Sequence, residues 1–145
     1  MNILTTLFSF CGRHNRGRFW LISVFALSCL LFLVAGLLSY ASATQPAEKA
    51  AVATIIICWL AIVLWFQTAN LVKRLHDLDA SGWWTLPIYL IGSAFAVLVV
   101  AAGPQARGGI LLIAAIFGLG ILAIIAIREG TEGENNYGPD PLSEL

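Results

Sequence analysis

The chain has 145 residues and equal numbers of basic and acidic side chains, eight of each, so no overall charge bias points to nucleic acid or to an acidic surface. Hydrophobic residues make up 59% and charged residues 11%, with a mean hydropathy of +0.87. A soluble domain this small cannot bury so much apolar surface, and the same figures exclude disordered, collagen-like and disulfide-rich classes.

The charges bound four long uncharged runs. They span 29 residues between Arg18 and Glu48, 23 between Lys49 and Lys73, 27 between Asp79 and Arg107, and 20 between Arg107 and Arg128. A hydrocarbon core of about 30 Å needs about 20 apolar residues at helical rise. The runs are continuous, without the alternation of barrel strands, and only helices and closed barrels satisfy their backbone in lipid. The expected fold is therefore all-α, a polytopic four-transmembrane-helix bundle. Its spans are Phe19 to Ser42, Ala50 to Val72, Trp84 to Ala102 and Gly108 to Ile127.

Basic residues are unevenly placed. Arg13, Arg16 and Arg18 precede the first span, Lys73 and Arg74 follow the second, and Arg128 follows the fourth, whereas only Lys49 and Arg107 lie in the other connections. The positive-inside rule then predicts that the N- and C-termini are cytoplasmic and that the turns near Pro46 and Pro104 face outward. The expected organisation is a cytoplasmic segment over 1–18, a transmembrane domain over 19–127 and a polar tail over 128–145. A secretory signal ending at Ala41-Ser42-Ala43 is a competing reading, but its apolar region exceeds the roughly 7–15 residues of a signal core. Cys11, Cys29 and Cys58 have the spacing of neither a disulfide framework nor a zinc site.

Polar residues gather in two segments on the same expected side, Gly12 to Trp20 and Gln67 to Trp84. These hold both histidines, four of the six arginines and two of the three aspartates. If the second helix continues past Val72, Gln67, Asn70, Arg74 and Asp77 form one stripe at spacings of three, four and three. Such a stripe either faces a ligand or hydrogen-bonds a neighbouring helix, with Lys73 and Arg74 anchoring the interface. Ser81-Gly82 supplies a turn in which Gly82 is suited to a positive φ. Trp83-Trp84 and Phe19-Trp20 read as interfacial aromatic pairs. After Arg128 the composition turns acidic, with Glu129, Glu132, Glu134, Asp140 and Glu144; the expectation is a solvated tail containing a turn at Asn136 to Pro139, the alternative an ordered tail folded back on the basic segments by charge complementarity.

Three stretches carry a resemblance. They are Phe10 through Trp20, then Arg74-Leu75-His76-Asp77 with Ser81-Gly82-Trp83-Trp84, and finally Gly133 through Pro141. In order and spacing they resemble the bacterial inner-membrane family known as domain of unknown function 805, over nearly the whole chain. The resemblance implies a multi-pass protein of the bacterial inner (plasma) membrane and conveys no activity.

Chemistry narrows the function further. His76 and Asp77 are adjacent on a helix and point about 100° apart, so they make no dyad by themselves. His14, His76, Asp77 and Asp79 have no recognised metal spacing. Gly118-Leu119-Gly120 lies in an apolar helix and not after a strand. The sequence thus predicts a protein with no catalytic residue, metal or cofactor. Its candidate ligand-binding set is Arg13, Arg16, Arg18, Asn70, Arg74, His76, Asp77, Trp83 and Trp84. The expected partner is a membrane lipid with an anionic head group, recognised by arginine, or a protein partner or second copy. No nucleic acid is expected. The alternative is a small transporter or flippase-like subunit with the stripe lining its path.

Overall fold

The computed structural model describes residues 3–143. Five α-helices follow in chain order: α1 (Ile3–Phe8), α2 (Arg16–Ser42), α3 (Pro46–Asp77), α4 (Thr85–Ala101) and α5 (Pro104–Ile127), with a 3-10 turn at Gly82–Trp84 before α4. Four segments are long and apolar enough to cross a membrane, namely α2, α3, Gly82–Ala101 and α5. Among the described residues there is no strand, only one isolated bridge between Asn135 and Gly138. The expected spans are all present and each begins earlier than expected, whereas at the far end only α3 runs on, α2 and α5 stop at Ser42 and Ile127 as expected, and the third span stops at Ala101, one residue short. Pro104 opens α5 after Gly103, a position where the missing N–H removes no helical bond. Helix α3 runs past Val72 to Asp77, and α1 is an element the hydropathy did not indicate.

The chain forms two compact units, one of residues up to 10 with 17–70, the other of 11–16 with 71 onward. In the first, Ile22, Ala26 and Cys29 of α2 meet Val63 and Phe66 of α3. Their helical spacing gives each helix one contact stripe. Close approach needs a small residue, and a Cβ on Gly36 would come within 3.0 Å of Ile56. Most polar groups inside this pair are met locally, although the buried Gln67 Oε1 has no hydrogen-bond partner among the described residues. Asn70 Nδ2 donates to Phe19 O and to Ser23 Oγ, both at 3.2 Å, and Trp59 Nε1 donates to Cys29 O. The indole of Trp65 donates to Phe8 O at the end of α1.

In the second unit α4 and α5 pack as a hairpin, with Phe95 against Phe117. The end of α3 is closed by two backbone bonds, Ala80 N to Leu75 O and Asp79 N to His76 O. This is the Schellman pattern, whose turning residue takes a left-handed conformation. That residue is Asp79, with φ 54°. The positive φ expected at Gly82 therefore falls at Asp79, because α3 extends to Asp77 and turns immediately after it. Gly82 is needed for space instead, since a Cβ there would lie 2.8 Å from Val72 and 3.3 Å from the His76 ring.

Candidate functional site

The second unit has a polar cluster built from three separated pieces of chain: residues 11–16, the last turns of α3, and the tail after α5. At its centre is Asp77, 3% exposed. Oδ1 accepts from Arg13 Nε at 3.2 Å and Nη2 at 3.1 Å. Oδ2 accepts from Arg74 Nη1 at 2.5 Å. Arg74 and Asp77 lie three residues apart on α3, a spacing that puts both on one face of the helix.

Each guanidinium continues outward into carbonyl oxygens. Arg13 Nη1 donates to Gly133 O at 2.6 Å and Gly138 O at 3.3 Å, and Nη2 to Thr131 O at 2.5 Å. With the Asp77 bonds, this matches the five N–H groups that an arginine carries. Arg74 Nε donates to Ile125 O at 2.9 Å, Nη1 to His14 O at 3.4 Å, and Nη2 to Arg128 O. Arg74 thereby caps the end of α5, where backbone carbonyls lack helical partners and the dipole is negative. Arg16 Nη1 adds a bond to Ile127 O at 3.4 Å.

The tail is ordered against this centre, in contrast to the solvated tail expected from composition. Thr131 N donates to Asp77 O at 2.8 Å. Asn135 Nδ2 donates to His76 O and to Thr131 Oγ1, both at 2.8 Å, and Asn136 Nδ2 donates to Asp79. The Tyr137 ring stacks on His76, centroids 4.0 Å apart and 5° from parallel. His76 Nδ1 faces Gly12 O at 3.2 Å, so it is the nitrogen that carries the proton. Gly130 passes so close that a Cβ on it would lie 2.6 Å from the Asp77 carboxyl carbon. Farther along, the Asp140 carboxyl is held below the usual carboxylate range by the N–H groups of Leu142 and Gly133 that donate to it. A cavity of about 200 Å³ opens beside the cluster, lined by Asn15, Arg16, Asp77, Glu129, Thr131 and Asp140 among others.

Residues 7–139 match the family described as "Protein of unknown function (DUF805)". The chain belongs to the DUF805 family. It is 29% identical to the inner membrane protein YhaH of Escherichia coli (strain K12) over 145 residues, 99% of this chain and 96% of the relative. It is 33% identical to the uncharacterized protein YiiR of the same strain over 149 residues, 97% of this chain and 90% of the relative. No solved structure matches. With four apolar helices long enough to cross a membrane, this DUF805 protein is a multi-pass inner-membrane protein.

Of the nine candidate residues in this DUF805 chain, Arg13, Arg74, His76 and Asp77 come together. Arg16 lies at their margin, paired with Glu129 at 3.2 Å and half exposed. Trp83 and Trp84 point outward, 76% and 61% exposed, as membrane-belt residues do. Asn70 and Arg18 belong to the first unit, and Asn70 makes the helix-to-helix hydrogen bonds that polar residues in spans commonly make. Lys73 and Arg74, read as interface anchors, are both fully buried. Sequence reasoning missed Gly130 and Thr131, for which only residue type gave a signal. Asn135 was visible only within the stretch Gly133 to Pro141, and Tyr137 and Gly138 there and as part of the expected turn at Asn136 to Pro139.

Proposed function

We propose that this DUF805 protein is a non-enzymatic inner-membrane module with both termini cytoplasmic, which holds anionic lipid head groups through Arg16 and Arg128 at the end of α5. The observation that carries this reading is the division of the arginines. Arg13 and Arg74 are buried, with their donors turned onto Asp77 and onto backbone carbonyls. Arg16 and Arg128 are exposed beside the α5 terminus, Arg16 in a solvent-exposed pair with Glu129 that a phosphate oxygen would have to displace. An exposed guanidinium next to a span is suited to a phosphate oxygen, because its planar fork bonds bidentately and it is weakly hydrated. The orientation rests on the bias of lysine and arginine toward the connections on one side. Transport along the α3 stripe loses its support, since Asn70 is bonded to Phe19 and Ser23, and Arg74 is enclosed in the cluster.

The test is native mass spectrometry of protein purified in lipid-retaining detergent. Replacing Arg16 and Arg128 together by Gln is expected to lower retained anionic lipid at least threefold while zwitterionic lipid is unchanged. Equal retention by the variant and wild type would remove the head-group reading. Reporter fusions at the C-terminus and within residues 44–49 are expected on opposite sides of the membrane, and finding them on one side would overturn the orientation.

A further inference from the structure

We propose that the C-terminal tail is a displaceable strap, and that beneath it Arg13 and Arg74 form a latent site for a phosphate-class anion, with tail carbonyl oxygens standing where phosphate oxygens would bind. This does not rest on Arg16 or Arg128.

Three observations converge on it. The first is charge. Two buried guanidiniums face one buried carboxylate, Asp77, and the second carboxylate in the field of Arg13, Asp140, is not buried and is screened by solvent. Their remaining bonds go to neutral carbonyls, three of which, at Thr131, Gly133 and Gly138, come from the tail onto Arg13. An ionised acceptor bonds a guanidinium roughly twice as strongly as a neutral one, and a surplus buried cation is costly until it is neutralised. A phosphate therefore competes for Arg13 with an electrostatic advantage over the strap.

The second observation is how the strap is held. Its anchors are polar: Thr131 to Asp77, Asn135 to His76 and Asn136 to Asp79. Among the described residues of the tail, Pro141 is the one that is buried, and the Tyr137 ring stacks on His76. Segments with few buried apolar contacts open at lower free energy than packed helices. The third is the fit at Gly130, whose backbone lies against the Asp77 carboxylate with no room for a Cβ. An anion on the arginines repels the Asp77 carboxylate, which has no free space on its Gly130 side, so the repulsion is felt by the strap.

Phosphate oxygens can come from free phosphate or from a lipid head group, and two arms separate these sources. Full-length protein is placed in nanodiscs, and hydrogen exchange is followed over residues 129–140, with the Thr131 amide as the reporter. In phosphatidylcholine discs, sodium phosphate is compared with sodium chloride at equal ionic strength. In the other arm, discs containing phosphatidylglycerol are compared with phosphatidylcholine alone. Exchange is expected to rise at least fivefold in one arm, and the responding arm names the source. Arg13→Lys keeps the charge but loses the fork, and its response is expected to vanish. A response that persists in Arg13→Lys would mean mere repulsion of the acidic tail and would overturn the proposal. Gly130→Ala loosens the strap without removing a donor, and is expected to respond at lower anion concentration. Unchanged exchange in both arms, for wild type and Gly130→Ala alike, would also overturn it. Lipid retention through Arg16 and Arg128 is read separately, so the two proposals fail independently.

Discussion

Gln67 and Asn70 precede Arg74 and Asp77 by one to two turns on the same helix, yet the two pairs are accommodated in different ways. Asn70 is satisfied by one hydroxyl and one carbonyl on α2. Arg74 and Asp77 draw on the α5 terminus, on residues 13 and 14, and on the tail. A neutral amide in an apolar setting needs one or two partners, whereas an ion must replace a full hydration shell. A charged pair near the end of a span therefore recruits backbone from distant parts of the chain, and a neutral one does not.

The sharpest way to break this contrast is to remove the shared carboxylate. Asp77→Ala leaves two guanidiniums buried without their anion and is expected to destabilise by about 3–5 kcal/mol. Denaturation in mild detergent, with protease cleavage of the tail as a second probe, checks it. Loss smaller than about 1 kcal/mol would show that the carbonyls alone suffice.

Overpacking comes next. Gly130→Ala forces a methyl group against Asp77 and is expected to cost about 1–3 kcal/mol. Gly118 on α5 has open space around it, so Gly118→Ala is expected to stay within about 0.5 kcal/mol of wild type. Equal effects of the two substitutions in the same thermal assay would count against a close fit at Gly130.

On the neutral side of the comparison, Asn70→Ala removes the hydrogen bonds to Phe19 O and Ser23 Oγ within the helix pair. Such bonds in membrane proteins average about 0.6 kcal/mol and reach about 1.7, so the expected loss is about 1 kcal/mol. The tail should keep its protease resistance in this variant. A larger loss, or a released tail, would erase the distinction between the two regions.

The smallest effect is a pH dependence at Asp140. Its folded carboxyl sits below the ordinary range because Leu142 and Gly133 donate to the ionised form. A depressed value means that the contribution is fully present above the ordinary carboxylate pKa of about 3.9 and fades as pH falls through the folded value. The amide resonances of Gly133 and Leu142 should therefore hold steady down to about pH 4 and shift below it. Asp140→Asn should remove that titration.

Much of the helical frame was legible because it rests on side-chain hydropathy. The uncharged runs gave four spans, and the stripe from Gln67 to Asp77 anticipated that α3 would outrun its apolar stretch. An ordered tail was legible only as the alternative to a solvated one, and the reason is chemical. Arg13 is bound to backbone oxygens of Thr131, Gly133 and Gly138, which every residue type carries and no composition reveals. Glu129 and Glu132 gave the tail the look of a solvated segment, while the groups that fix it are glycine and threonine backbone groups together with Asn135, Asn136 and Tyr137. Gly82 misled for a related reason: a glycine signals freedom of φ and tolerance of a close neighbour equally well, and here the neighbour was the cause.

The bonds of Arg13 and Arg74 also impose a rule of parity. Arg13 stands before α2 and meets Asp77 at the end of α3. Arg74 stands before α4 and meets Ile125 and Arg128 at the end of α5. A path that leaves a membrane face and returns to touch its own starting point has crossed an even number of times. Each of these contacts closes one such circuit, so a chain that inserted with one span missing would leave Arg13 or Arg74 stranded from its partners across the full thickness of the bilayer. The cluster is thus complete only when every span between Arg13 and Gly138 has crossed.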